Sequence, residues 1–359
     1  MTNYLLTGGG TAGHVNPLLS LADEISNLEP DSKIIALGTS EGLESNLVPA
    51  RGYELSVISK LPFPRRVNVY ALKFPWLFIS AVRQCKALIQ SRKIDVVVGF
   101  GGYASAPAYL AAKLAGVPIV IHEANALPGW ANKFGSSFAN ATGVAFRNTP
   151  MKNAQFVAMP LRPEISNLSF PRDGKSARTH FDLDPEQTTL LVIGGSLGAK
   201  KINDTVIAAK KILSAAGIQV LHICGSKSDL EEVAEPGYRR IKYCDRMDLA
   251  ISASSFAVSR SGAATVSEFA AAGLPAVFVP YPIGNGEQKL NAAELVSGGG
   301  AVLVPDRDFT PEYIAEKLIP LMSNTKQVNQ MASSSREIGV LDGTTRLFRM
   351  VQGVLQAKA

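Results

Sequence analysis

Continuous apolar runs alternate with helix-length patterns from one end of the chain to the other. "NYLLT" (3–7), "KIIAL" (33–37), "DVVVGF" (95–100), "PIVIHE" (118–123), "TLLVIG" (189–194), "IQVLHICG" (218–225), "FAVSR" (256–260), "PAVFVPY" (275–281) and "AVLVP" (301–305) read as strands. Runs this continuous belong to strands covered on both faces, which predicts parallel sheets in an α/β fold. Four glycine-rich turns follow strands and open helical patterns: "TGGGTAGH" (7–14), "GFGGYASAP" (99–107), "IGGSLGAKK" (193–201) and "SRSGAATVSE" (259–268). In such sheets ligands bind beyond the carboxyl ends of the strands, so these turns are where chemistry is expected.

The alternation breaks at 157–187, a stretch rich in Pro, Ser and charge, before a new strand begins at Thr189. A chain of 359 residues is long for one domain, and two of roughly 150–180 residues are the natural expectation. The two halves repeat one plan, a strand with a Gly-rich turn at 4–13 and again at 189–198. The expected division is 1–163 and 164–342, two domains with a cleft between them. The segment "GTTRLFRMVQGVLQAKA" (343–359) has an amphipathic helical pattern whose packing partner its own sequence does not reveal.

Composition adds less. The chain is 46% apolar and 18% charged, as in well-folded globular proteins. Cys85, Cys224 and Cys244 are odd in number and lack metal-ligand spacing, which suits reduced thiols. "MTNYLLTGGG" has no basic region, so no secretory signal is expected there. No apolar run reaches the ~18 residues of a spanning helix. The formal charge of +6 favours anionic partners. It is unevenly placed: Lys60, Arg65, Arg66, Lys73, Arg83, Lys86, Arg92 and Lys93 stand together with no acidic residue between Lys60 and Lys93. Phe74, Trp76, Leu77 and Phe78 lie inside that stretch, which reads either as a segment lying in a membrane interface or as a core-packing helix with a basic outer face.

Gly8, Gly10 and Gly13 satisfy G-x-G-x-x-G, but a dinucleotide site also needs an acidic residue at the end of the second strand to hold the ribose. Here that strand ends in Leu37-Gly38-Thr39, and Glu41 comes late, past a turn. The glycine loop is therefore expected to hold a different anion at the positive end of the following helix. His14, one of four histidines, stands at its mouth as a candidate for chemistry.

"GGGTAGHVNP" (8–17), "HEANALPGWANK" (122–133), "GGSLGAKKIN" (194–203) and "SRSGAATVSEFAAAGLPAVFVPYPIGNGEQKLNAA" (259–293) call for one explanation. In the last, small residues open a helix where a phosphate could approach free N–H groups. Glu268 could accept from vicinal ribose hydroxyls, and Gln288 can read sugar hydroxyls. Across nearly the whole chain, and in the same order, these blocks resemble the MurG family, which transfers N-acetylglucosamine from its UDP ester to lipid I to give lipid II for peptidoglycan.

The resemblance implies a GT-B glycosyltransferase: two Rossmann-like domains, the UDP-sugar held mainly by the second, and the last helix crossing back onto the first. It places Thr11, Ala12, Gly13 and Asn125 near donor sugar and acceptor, and Arg162 of "PLRPE" against the nucleotide sugar. Ser196 should approach the diphosphate, Cys244 of "YCDRM" the uracil through its backbone, Ala264 and Thr265 phosphate, Glu268 the ribose and Gln288 the N-acetylglucosamine hydroxyls. Glu123 is an acceptor-side or structural candidate, and His14 the general base, with the Gly8–Gly13 loop engaging the acceptor's pyrophosphate. Ala12, Leu197 and Glu287 depart from the family pattern, which more often has Gly, Gln and a second Gln there. Lys73, Phe74, Trp76 and Phe78 become the membrane-docking set, on the cytoplasmic face of the bacterial membrane. Cell-wall synthesis proteins are candidate partners, nucleic acid is not, and no cofactor is expected. The aspartate pairs of "DLD" (182–184) and "DRD" (306–308) read as solvated surface away from the Gly-rich turns, so no bound metal is expected. The rival readings are another GT-B enzyme with a lipid acceptor, a UDP-sugar 2-epimerase and a non-catalytic nucleotide-binding or membrane scaffold.

Overall fold

A computed structural model describes residues 1–64, 68–283 and 285–358. Arg65 and Arg66 of the basic stretch, Gly284 of the "GNGEQ" loop and the final Ala359 lie outside the described residues.

The chain divides into two units, Met1–Arg162 with Asp342–Ala359, and Pro163–Leu341. In the first, β1 (Asn3–Thr7), β2 (Lys33–Gly38), β3 (Glu54–Val57), β4 (Val96–Gly99), β5 (Ile119–Glu123), β6 (Ala141–Val144) and β7 (Gln155–Phe156) form one sheet in the order 3-2-1-4-5-6-7. Every pairing is parallel. Strands β4 and β5 are buried at every position, as their unbroken apolar runs require. One face of the sheet packs on helices Val69–Ser91 and Ser105–Ala115. The other packs on Ala12–Leu28 and on Gly343–Gln356, whose Leu347 and Val351 join the cluster around Tyr4, Leu6 and Leu18.

The second unit repeats the plan with β8 (Thr188–Ile193), β9 (Ile218–Ile223), β10 (Val233–Glu235), β11 (Tyr238–Ile241), β12 (Phe256–Ser259), β13 (Ala276–Phe278) and β14 (Ala301–Leu303), in the order 10-11-9-8-12-13-14. Only the β10–β11 pair is antiparallel among the described strands. Each unit is thus Rossmann-like, with the strand order reversing beside β1 and beside β8. The two crevices at these reversals are where the fold places ligands.

Strands β3, β6, β7, β10 and β11 carry no continuous apolar run. β3, β7 and β10 lie at or beside sheet margins, where a strand needs only partial cover. The Val69–Ser91 helix, capped by Asn68 accepting from the Ala71 amide at 2.9 Å, corrects the docking set. Phe74 and Phe78 turn inward with Ala81, Val82, Cys85 and Ile89 and stack 5.8 Å apart. The outward stripe is Val69, Leu72, Trp76 and Ile79, with Val69 66%, Leu72 68% and Trp76 73% exposed. Lys73 and Arg83 are exposed on the same helix. Among the described residues no helix is long and apolar enough to cross a membrane.

Candidate active site

β1 ends in Gly8–Gly10, and Thr11 in extended conformation opens the Ala12–Leu28 helix. The loop is not an open cradle of amides. The Gly8 N–H donates to the Leu37 carbonyl (3.2 Å) and the Gly10 N–H to Glu44 Oε2 (2.7 Å). Glu44 Oε1 accepts from the amide and hydroxyl of Thr39 at 2.9 and 2.8 Å. Burial acts against the charge, yet these bonds hold the Glu44 carboxyl below the usual carboxylate range. A Cβ on Gly9, Gly38 or Gly42 would run into that carboxylate. Glu44, which no local sequence signal marks, ties the first two β–α turns together. Of the Gly8–Gly13 loop expected to engage pyrophosphate, the Gly8 and Gly10 amides are thus already bonded within the fold.

His14 lies in that turn. Its Nδ1 is 3.1 Å from the Gly9 carbonyl, an acceptor, so in the neutral ring Nδ1 carries the proton and Nε2 the lone pair. Nε2 lies over Gly101, at φ +92°, where a Cβ would come 3.3 Å from it. The other histidines serve differently. His122, on β5, gives its Nε2 proton to the Ala158 carbonyl (2.9 Å), and burial pushes its pKa down to about 4. His222, on β9, bridges Tyr238 (2.7 Å) and Asn203 (3.0 Å), and burial, then Arg240, pushes it down to about 3. His180 ends the Gly174–His180 helix.

His14, Thr11, Gly9, Gly10 and Gly101–Tyr103 line a groove of about 580 Å³, whose other wall includes Phe63, Phe74, Phe78 and Trp130. Glu123 borders it, but its carboxylate is tied to its own loop. Oε1 accepts from the Asn125 amide (2.9 Å), and Oε2 from Gly129 N–H (3.0 Å) and Asn132 Nδ2 (2.9 Å). The Tyr109 hydroxyl in turn donates to Asn132 (2.7 Å). The "HEAN…N" block is therefore a scaffold that positions the loop after β5. Ala12 and Gly13 belong to the helix's first turn, and Asn125 to the Glu123 loop. Neither these nor Arg162, the last residue of the first unit, are among the groove's lining residues.

In the second unit, Gly194–Gly198 and the start of the Ala263–Ala272 helix bound a hollow of about 620 Å³. Gly195 and Gly198 have φ of +87° and +88°, and Gly198 packs on the Cys224 carbonyl and Gly225 so closely that no side chain fits. Beneath them Asn203 Nδ2 donates to that same carbonyl at 2.9 Å. Because Asn203 Oδ1 only accepts, His222 Nε2 carries its proton and Tyr238 donates to Nδ1. This buried relay fixes the loop. Ser196, Gly262, Thr265 and Gln288 line the hollow. Gly262 caps the helix with no side-chain partner and open space around it, so the first-turn amides stay available to an anion. Ala264 sits in that turn. Glu268, one turn further, and Cys244, after β11, are both buried and are not among the lining residues.

Gln288 Oε1 accepts from the Tyr281 amide (2.9 Å), which leaves its Nε2 as a donor. Arg260, unforeseen in the sequence, anchors this corner. It donates to the Val279 and Pro280 carbonyls, both at 3.0 Å, pairs with Asp306 at 2.6 Å and lies 5.5 Å from the Tyr281 ring. Asp306 thus lines the hollow instead of standing away from the Gly-rich turns, because the parallel order brings the end of β14 round to that of β12. It is held by a guanidinium. Among the described residues no group of three or more His, Cys, Asp or Glu could hold a metal ion.

Residues 4–144 match the glycosyltransferase family 28 N-terminal domain and 189–347 its C-terminal domain. The UDP-N-acetylglucosamine–N-acetylmuramyl-(pentapeptide) pyrophosphoryl-undecaprenol N-acetylglucosamine transferase of Leifsonia xyli subsp. xyli is 51% identical over 99% of this chain and 100% of its own. That of Clavibacter sepedonicus is 48% identical over 100% and 98%. The crystal structure of MurG from Acinetobacter baumannii superposes with a TM-score of 0.79 at 27% identity, over 98% of this chain and 100% of that one. The fold is GT-B, and the chain belongs to glycosyltransferase family 28, among the N-acetylglucosaminyltransferases that these relatives represent.

Proposed function

We propose that this glycosyltransferase moves N-acetylglucosamine from UDP-N-acetylglucosamine to the muramyl 4-hydroxyl of undecaprenyl-pyrophosphoryl-N-acetylmuramyl-pentapeptide, with inversion, on the cytoplasmic face of the membrane. The observation that carries this reading, beside the 51% identity to the Leifsonia transferase, is His14, oriented by the Gly9 carbonyl at its Nδ1, in a groove lined by glycine backbone.

The muramyl hydroxyl is a poor nucleophile. His14 Nε2 takes its proton as the oxygen attacks the anomeric carbon, and UDP departs with the electrons of the broken C–O bond. The Gly9 carbonyl, accepting from Nδ1, stabilises the imidazolium so formed. Charge growing on the leaving diphosphate meets the first-turn amides at Ala263, Ala264 and Thr265 and the loop at Ser196. Gln288 Nε2 donates to a sugar hydroxyl, Glu268 holds the ribose, and the backbone at Cys244 the uracil. Thr11, Ala12, Gly13, Asn125 and Arg162 serve the sugars. Glu123 is a positioning residue. The stripe Val69, Leu72, Trp76 and Ile79, with Lys73 beside it, docks on anionic lipid.

The test mixes the protein with labelled UDP-N-acetylglucosamine and a short-chain lipid I analogue and looks for labelled disaccharide. Transfer that stops when UDP-glucose replaces the donor, or when the acceptor is left out, is the expected result. Donor hydrolysis alone, or transfer from UDP-glucose at equal rate, would refute it.

A further inference from the structure

The Val69–Ser91 helix is apolar on two faces. Its outward stripe of Val69, Leu72, Trp76 and Ile79 is exposed, while Phe74 and Phe78 turn the other way and line the groove that holds His14. A helix packing on a core needs only one such face. The inner one continues an aromatic wall. Phe74 meets Phe63 edge-on at 5.7 Å, and Phe63 lies 4.5 Å from Trp130. The groove therefore combines a polar lining at Gly9, Thr11 and His14 with a contiguous aromatic cluster. Tyr103 also lines it, and Lys60, 5.7 Å from that ring, is paired with Glu41 at 3.1 Å outside the lining. Glu123, the acidic group among the described lining residues, is 2% exposed and has its carboxylate bonded within its own loop.

This order of chemistry matches one kind of ligand, an amphiphile whose anionic head meets the helix's first turn, the Thr11 hydroxyl and imidazole while its chain meets aromatic carbon. A cavity of about 580 Å³ is of the size that encloses a small organic group, in the range of roughly 300–1,000 Å³. We propose that the wall of Phe63, Phe74, Phe78 and Trp130 is a subsite for the first isoprene units of the acceptor's polyprenyl chain. The enzyme then grips the lipid next to its pyrophosphate, apart from the contact that the outer stripe makes with the bilayer. The proposal rests on the transferase reading above, because that reading supplies the lipid-linked acceptor.

Two acceptors test it without vesicles or detergent, the same muramyl-pentapeptide pyrophosphate carrying a geranyl chain or a methyl group. The expected kcat/KM ratio favours the geranyl acceptor by at least roughly tenfold, the scale of burying about two methylene-sized groups. Phe63→Ser and Phe74→Ser should each bring that ratio close to one, and a ratio cancels any loss of folded protein. A second measurement alters no groove residue. Trp76→Phe leaves Trp130 as the one tryptophan of the two in the chain, and its emission should respond saturably to geranyl diphosphate and not to inorganic diphosphate. A wild-type ratio near one, or equal responses of Trp130 to the two diphosphates, overturns the subsite. Failure of transfer to both acceptors counts against the transferase reading, and the Trp130 titration then decides the groove by itself.

Discussion

Glu44 Oε2 accepts the Gly10 amide at 2.7 Å, across 34 residues of sequence, and so locks the first glycine turn to the end of β2. Removing it leaves the Gly10 and Thr39 amides without partners beneath the loop. Glu44→Ala should cost about 2–3 kcal/mol of stability, the scale of buried polar groups left unpaired. It should lower turnover by displacing His14, while binding of UDP, which the proposed function assigns to the second unit, stays within about twofold. Chemical denaturation and UDP titration check both halves. Unchanged stability would mean that the carboxylate contributes nothing to the loop.

Gln288 offers a ligand the N–H groups of its Nε2, because the Tyr281 amide already bonds its oxygen. Gln288→Glu keeps that acceptor and deletes the donor. Affinity for UDP-N-acetylglucosamine should fall about tenfold, the worth of one hydrogen bond to a sugar hydroxyl with its partner left unpaired. Affinity for UDP, which lacks the sugar, should not follow. Calorimetric titration of both ligands separates the outcomes, and an equal loss for the two would reassign Gln288 to the nucleotide.

The pH dependence of stability follows from His122. Its pKa is about 4 when folded and about 6.5 when unfolded, so the unfolded chain binds more protons between those values. Stability is then full above pH 6.5 and is lost as pH falls towards 4, by about 3 kcal/mol from this residue. His222, pushed to about 3, acts in the same sense in the second unit. Melting curves at pH 7.5 and 4.5 on the wild type and on His122→Asn should show a smaller acid loss in the variant. An identical loss would place the acid sensitivity elsewhere.

The exposed stripe on the Val69–Ser91 helix makes a prediction that the inward Phe74 and Phe78 do not. Trp76→Ser combined with Lys73→Glu should reduce co-sedimentation with vesicles containing acidic phospholipid several-fold, and high salt should mimic part of the effect. Transfer to a soluble acceptor should be unaffected. Vesicle binding equal to the wild type's would rule this face out.

Both sheets were legible wherever a buried strand is built of an unbroken apolar run, because "DVVVGF" or "TLLVIG" admits no other burial, whereas the buried "ATGV" of β6 gave no such signal. β3, β10 and β11 were not, since strands at or near a sheet margin need only partial cover and carry no such run. The same split holds at the site. The glycine turns and His14 announce themselves by local chemistry. Glu44 and Arg260 act on backbone groups distant in sequence, and such partners exist only once the chain has folded. A charged residue ending the apolar run "FAVSR" was the one local hint of Arg260. Phe74 and Phe78 were assigned to the membrane because aromatic content carries no direction. Only the phase of the helix, with 74, 78, 81, 82, 85 and 89 inward, separates them from Trp76.

The most direct test of the mechanism is single-turnover transfer by His14→Ala with saturating donor and a short-chain acceptor, read beside UDP affinity. If His14 Nε2 takes the hydroxyl proton, the rate falls roughly 10²–10⁴-fold, the usual worth of a positioned general base, while UDP affinity stays within about twofold. A rate within a few-fold of the wild type would contradict the account, and the proton would have to leave by another group.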